Sequence, residues 1–125
     1  MFGDSKKLQT IDLGSNKLEA LPPEVFAGLN MLQELNLRSN ELNALPRGVF
    51  AGLNRLQILE LSSNKLETWP EVFAGLDMLE SLKLYSNKLI SLPPDVFAGL
   101  DMLQFLDLGL NRLALPPGEF ADLTT

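Results

Sequence analysis

A chain of 125 residues, 46% of them apolar, is long enough for a single continuous core. Its net charge of −6, with ten basic residues dispersed along the chain, offers no stripe to neutralise phosphates, which argues against nucleic acid and against an anionic membrane surface. The sequence has no histidine and no cysteine, which removes the commonest general base, most nucleophile pairings, nearly all zinc sites and any disulfide.

Residues 1–7, MFGDSKK, form a short polar lid. Phe2 lies 24 residues before Phe26, so the lid is the remnant of a preceding repeat. It contains no secretory apolar region, and the longest apolar run of the chain is far below the ~20 residues of a membrane-spanning helix. The expectation is a soluble chain. No N-x-S/T glycosylation sequence is present to mark secretion.

From Leu8 the chain becomes periodic. LQTIDLGSN (8–16), LQELNLRSN (32–40), LQILELSSN (56–64), LESLKLYSN (79–87) and LQFLDLGLN (103–111) align on Asn16, Asn40, Asn64, Asn87 and Asn111, which are separated by 24, 24, 23 and 24 residues. The unit L-x-x-L-x-L-x-x-N-x-L at this period defines five repeats, 8–31, 32–55, 56–78, 79–102 and 103–125. Within a unit the later leucines, such as Leu35 and Leu37, are two apart and share one face of an extended strand. One such strand cannot bury its leucines, so repeats must stack and their strands must form a parallel sheet. Each asparagine stands where the strand turns away, where its amide can both donate and accept, within its own turn and toward the adjacent repeat.

The tails that follow carry Phe26, Phe50, Phe73, Phe97 and Phe120 in step with the asparagines, as a stacked aromatic row requires. Their L-P-x-x-x-F segments hold too much proline for a regular helix, and loops or single helical turns are expected. Repeat three is one residue shorter and places Trp69 where repeat one has Leu21, a core position. Repeat five replaces the usual serine with Leu110 and the usual valine with Glu119, as an atypical terminal repeat does.

This pattern resembles the typical 24-residue class of leucine-rich repeat, and the LPxxVFxGL tail is most similar to the variable lymphocyte receptors. The resemblance implies an α/β-type solenoid, a leucine-rich-repeat horseshoe with a short parallel sheet on the concave face and loops or single turns on the convex one. It implies a non-catalytic protein-binding scaffold of extracellular origin. The chain departs from those receptors in lacking their cysteine-rich caps. The near-identity of VFAGL in four repeats fits recent duplication or consensus design equally.

In that fold the x residues of the strands line the concave side. They change freely between repeats while the leucines, asparagines and phenylalanines hardly change, as on a recognition surface. One column is Thr10, Glu34, Ile58, Ser81 and Phe105; a second is Asp12, Asn36, Glu60, Lys83 and Asp107; a third is Gly14, Arg38, Ser62, Tyr85 and Gly109. The second column reads as a solvated face, since adjacent carboxylates never occur in it. Ile58, Tyr85, Phe105 and Leu110 gather apolar surface on repeats three to five, where exposed aromatics serve as interface anchors. Arg38, Glu60, Lys83 and Asp107 supply polar orientation around them. Two readings stay open: these eight residues bind a protein or peptide ligand, or they and the uncapped end meet copies of the same chain in a self-assembling structural protein. Neither requires a cofactor or metal.

Overall fold

The computed structural model describes residues 7–68, 72–91 and 95–112. Trp69, Glu119, Phe120 and the first six residues of the polar lid lie outside this description. Five three-residue strands carry the architecture: β1 (Thr10–Asp12), β2 (Glu34–Asn36), β3 (Ile58–Glu60), β4 (Ser81–Lys83) and β5 (Phe105–Asp107). They form one parallel sheet in the order of the chain, so each repeat lies beside its sequence neighbours and the whole is a solenoid.

The register follows the repeat. Ile11, Leu35, Leu59, Leu82 and Leu106 stand side by side on the inner face, flanked by the columns that begin with Thr10 and Asp12. The missing residue of repeat three falls between Asn64 and Leu79, so the pairing of Ile58 with Ser81 stays in phase. Main-chain pairing outlasts the short strands. The N–H groups of Leu13, Leu37, Leu61 and Leu84 each donate to the strand-end carbonyl of the next repeat at 2.8 Å.

Behind the sheet, the strand leucines and the phenylalanines close one core. Leu32, Leu37, Leu56, Leu59, Leu61 and Leu82 are fully buried, and Phe26, Phe50 and Phe73 nearly so. The ring centroids of Phe26 and Phe50 are 6.2 Å apart, and those of Phe73 and Phe97 are 6.1 Å apart, within the range of favourable aromatic pairs. Of the expected loops or single helical turns, the described segments are loops built from successive tight turns. Val25, Ala27, Leu29 and Leu32 each donate a backbone hydrogen bond to the residue three before, without the run of bonds that a helix needs. Gly28, Gly52, Gly75 and Gly99 close these segments with φ of 81 to 86°, a conformation that glycine alone adopts without strain.

The asparagines do what the bend demands. Asn64 donates through Nδ2 to the carbonyls of Leu37 and Leu61 at 3.0 Å, and its Oδ1 accepts the Leu42 N–H at 3.2 Å. Asn40, Asn87 and Asn111 repeat this set in their own units. Each amide therefore ties its own repeat to the preceding one, and among the described residues no buried side-chain polar atom lacks a partner. Among the same residues no helix is long and apolar enough to cross a membrane.

Candidate functional site

The exposed face of the sheet is built by alternation. A strand that turns its middle leucine inward turns both flanking residues outward, so Thr10, Asp12 and Glu34 are exposed around the buried Ile11 and Leu35. Toward β1 and β2 this face forms a concavity of about 330 Å³ whose lining includes Asp12, Glu34, Asn36, Ile58, Glu60 and Lys83. Toward β4 and β5 it carries apolar side chains. Phe105 is 49% exposed, Tyr85 37% and Leu110 68%. Among the described residues the other exposed large apolar side chains, Met78, Ile90 and Met102, lie on connecting segments away from the strand ends that carry Tyr85 and Leu110.

The eight residues expected to contact a partner do not stand alike. Arg38, Tyr85, Phe105 and Leu110 are exposed, whereas Ile58, Lys83 and Asp107 are half-buried. Glu60 departs from the expectation of a solvated column: it is buried, with only 8% of its surface exposed. The strand-end column explains this. Asp12 Oδ1 accepts the Gly14 N–H at 2.9 Å, Asn36 Oδ1 the Arg38 N–H at 2.9 Å, Glu60 Oε1 the Ser62 N–H at 2.8 Å and Asp107 Oδ1 the Gly109 N–H at 3.0 Å. Each of these side chains caps the turn two residues ahead, where the backbone N–H has left the ladder. Glu60 lies inside the sheet between Asn36 and Lys83, and the Arg38 guanidinium covers its other oxygen at 3.7 Å. Its charge is paired, and its role is to hold the face together.

Lys83 has no acceptor to offer the turn of its own repeat. The Tyr85 N–H instead donates to Ser62 Oγ of the preceding repeat at 3.1 Å, and Lys83 Nζ lies 5.9 Å from the centre of the Phe105 ring. Gly109 completes the arrangement beside Tyr85. A Cβ added there would stand 3.0 Å from Tyr85 Cδ2 and 3.2 Å from Cε2, so the ring occupies space that a glycine leaves open. The capping role of this column goes beyond the solvated face and the partner contacts at Glu60, Lys83 and Asp107 expected from the sequence. Its signal was nonetheless present, as Asp, Asn or Glu two residues before each turn, with lysine as the one exception.

A third regularity concerns the backbone. Ser15, Ser39, Ser63 and Ser86 all have φ of 58 to 60°, and Leu110 takes their place with φ 51°. Each of these residues bears a local cost of about 1 kcal/mol from its Cβ in the left-handed region, and at Leu110 an exposed side chain offsets little of it.

A single parallel sheet of short strands, one per repeat, over a core of leucine and phenylalanine rows defines a solenoid repeat protein with an open sheet face. The leucine rich repeat family matches residues 6–66, 32–84 and 68–113, and the chain belongs to that family. Among solved structures it is similar to the leucine-rich repeat domain of APL1B, with a TM-score of 0.84 and 28% sequence identity over 92% of this chain. The chain spans 35% of the length of that structure. No curated protein matches it. The fold is thus the leucine-rich-repeat horseshoe; the similarity to variable lymphocyte receptors is not what these matches bring out.

Proposed function

We propose that the chain is a non-catalytic scaffold that binds a protein or peptide on the concave face of its sheet. The observation that carries this reading is the exposure of Phe105 on β5 and of Tyr85 two residues past the end of the neighbouring β4, both on the open side of one paired sheet. Aromatic side chains held in this way bring large contact area at small entropic cost, and they are the usual centres of interface energy. Membership of the leucine-rich-repeat family supports the same reading, since these scaffolds serve mainly to bind proteins. Lys83, Asp107 and Leu110 lie beside the aromatic pair, Ile58 and Arg38 extend the surface toward β3 and β2, and Glu60 acts through Arg38. Asp12, Glu60 and Asp107 cap turns and Glu60 also pairs with Arg38, an arrangement suited to fixing backbone and ill suited to proton transfer.

The test begins with molar mass by light scattering over a concentration series. A mass of one chain throughout is expected, and a defined multiple that collapses on Tyr85→Ser/Phe105→Ser would assign the face to a second copy instead. Ligands selected against the wild-type chain are then expected to lose binding by about thirtyfold or more in the same double variant, with its circular dichroism and unfolding midpoint little changed. Undiminished binding would overturn the assignment of the face.

A further inference from the structure

The face is divided along the solenoid, and the division specifies its ligand. We infer that the concave face takes an extended peptide segment with a lysine or arginine and a large apolar residue four positions apart, the basic side chain over β1 and β2 and the apolar one over β4 and β5. This rests on the concave-face reading above and adds the chemistry of the partner.

Three observations carry it. First, the two basic groups of the sheet-face columns are engaged, Arg38 at Glu60 and Lys83, at the far edge of the concavity, over the Phe105 ring. Asp12 and Glu34 remain as exposed carboxylates on the concavity. Asp12 accepts hydrogen bonds from the Gly14 N–H and from Asn36 Nδ2, but both donors are neutral and leave its charge uncompensated. The complement of that end is a cation. Second, the apolar anchors Tyr85 and Phe105 stand at the opposite end, and strands one and two carry no apolar side chain in the corresponding outward columns.

Third, the register fixes the spacing. Glu34 and Phe105 belong to one column three strand steps apart, β2 to β5, which is about 14 Å at ~4.8 Å per step. An extended peptide laid across the strands advances ~3.3 Å per residue, so about four residues cover that distance. Only an even separation presents both side chains to the same side of an extended chain. Four satisfies both conditions, and three or five satisfies neither fully.

A random dodecapeptide library displayed on phage and selected against the immobilised full chain tests this without presupposing the answer. Enriched peptides are expected to carry Lys or Arg four positions from Phe, Tyr, Trp, Leu or Ile. Fluorescence polarisation of a labelled enriched peptide is expected to show binding that weakens as salt rises and that falls about three- to tenfold in Asp12→Asn/Glu34→Gln. That variant keeps the turn, because an asparagine at the same place in β2 caps Arg38. Peptides of another chemistry, lost in Tyr85→Ser/Phe105→Ser but indifferent to Asp12→Asn/Glu34→Gln and to salt, would overturn this inference and leave the concave-face reading standing. Peptides indifferent to both variants would overturn both. A selection that enriches nothing would also count against the inference.

Discussion

Across the step from β3 to β4, the Ser62 hydroxyl oxygen accepts the Tyr85 backbone N–H at 3.1 Å, in place of an acceptor that Lys83 cannot supply. The two residues thus share one structural task across a repeat boundary, and the dependence is measurable. Ser62→Ala is expected to lower stability by about 1 kcal/mol, because Ser62 is buried and its loss strips the Tyr85 N–H of its partner. In a Lys83→Asn background, where residue 83 caps its own turn as Asn36 does, the same replacement should cost markedly less. Urea unfolding of the four proteins of this cycle decides the matter. Effects that add to within about 0.3 kcal/mol would mean that the two positions are independent.

Leu110 shares the left-handed backbone cost of the serines in the other repeats. Its φ of 51° is the left-handed conformation, and its side chain is 68% exposed, so burial offsets little of the strain. Leu110→Asn is expected to raise stability by about 0.5 to 1 kcal/mol, because asparagine tolerates the left-handed region better than leucine. A fall in the urea midpoint of Leu110→Asn would indicate packing that outweighs the backbone cost.

The asparagine ladder should show a gradient along the solenoid. Asn64→Ala removes the acceptor of the Leu42 N–H and the bonds that Nδ2 donates to the carbonyls of Leu37, Leu61 and Ser62, and a loss of about 2 to 3 kcal/mol is expected. Asn111 is half-buried, so water can replace part of what Asn111→Ala removes, and the loss there should be about half as large. Equal losses at the two sites, by denaturant unfolding, would contradict the layered account of stability.

Gly109 holds open the space beside the Tyr85 ring. Gly109→Ala is expected to shift that ring while leaving the sheet paired, so nuclear Overhauser contacts between Tyr85 and residue 109 should change and those between the strand leucines should persist. Ligand affinity should fall with the ring's displacement. An unmoved ring would mean that the neighbouring backbone yields instead.

Much of this was legible from the spacing alone. With asparagines at a near-constant interval, the columns through Thr10 and Asp12 could be written down before any geometry, because a strand has a period of two and stacked repeats leave one register. The asparagine ladder and the phenylalanine row followed from the same spacing. What the spacing does not encode is depth. Glu60 reads as an exposed charge by its place in the alternation, yet two flanking strands and the Arg38 side chain cover it. The left-handed serines were hidden for a different reason, since serine has no strong preference for that conformation and only the coordinates reveal it. The turns of the convex side, written as loops or single helical turns, were underdetermined because proline and glycine permit several tight-turn geometries.

The measurement that bears most directly on the account is amide chemical-shift mapping of the chain with a selected peptide bound. The account predicts perturbations concentrated on Thr10–Asp12, Glu34–Arg38, Ile58–Glu60, Ser81–Tyr85 and Phe105–Leu110, the outward face of all five strands and the turns that follow them. Perturbations confined to the segments around Phe26, Phe50 and Phe73, on the opposite side of the core, would contradict it.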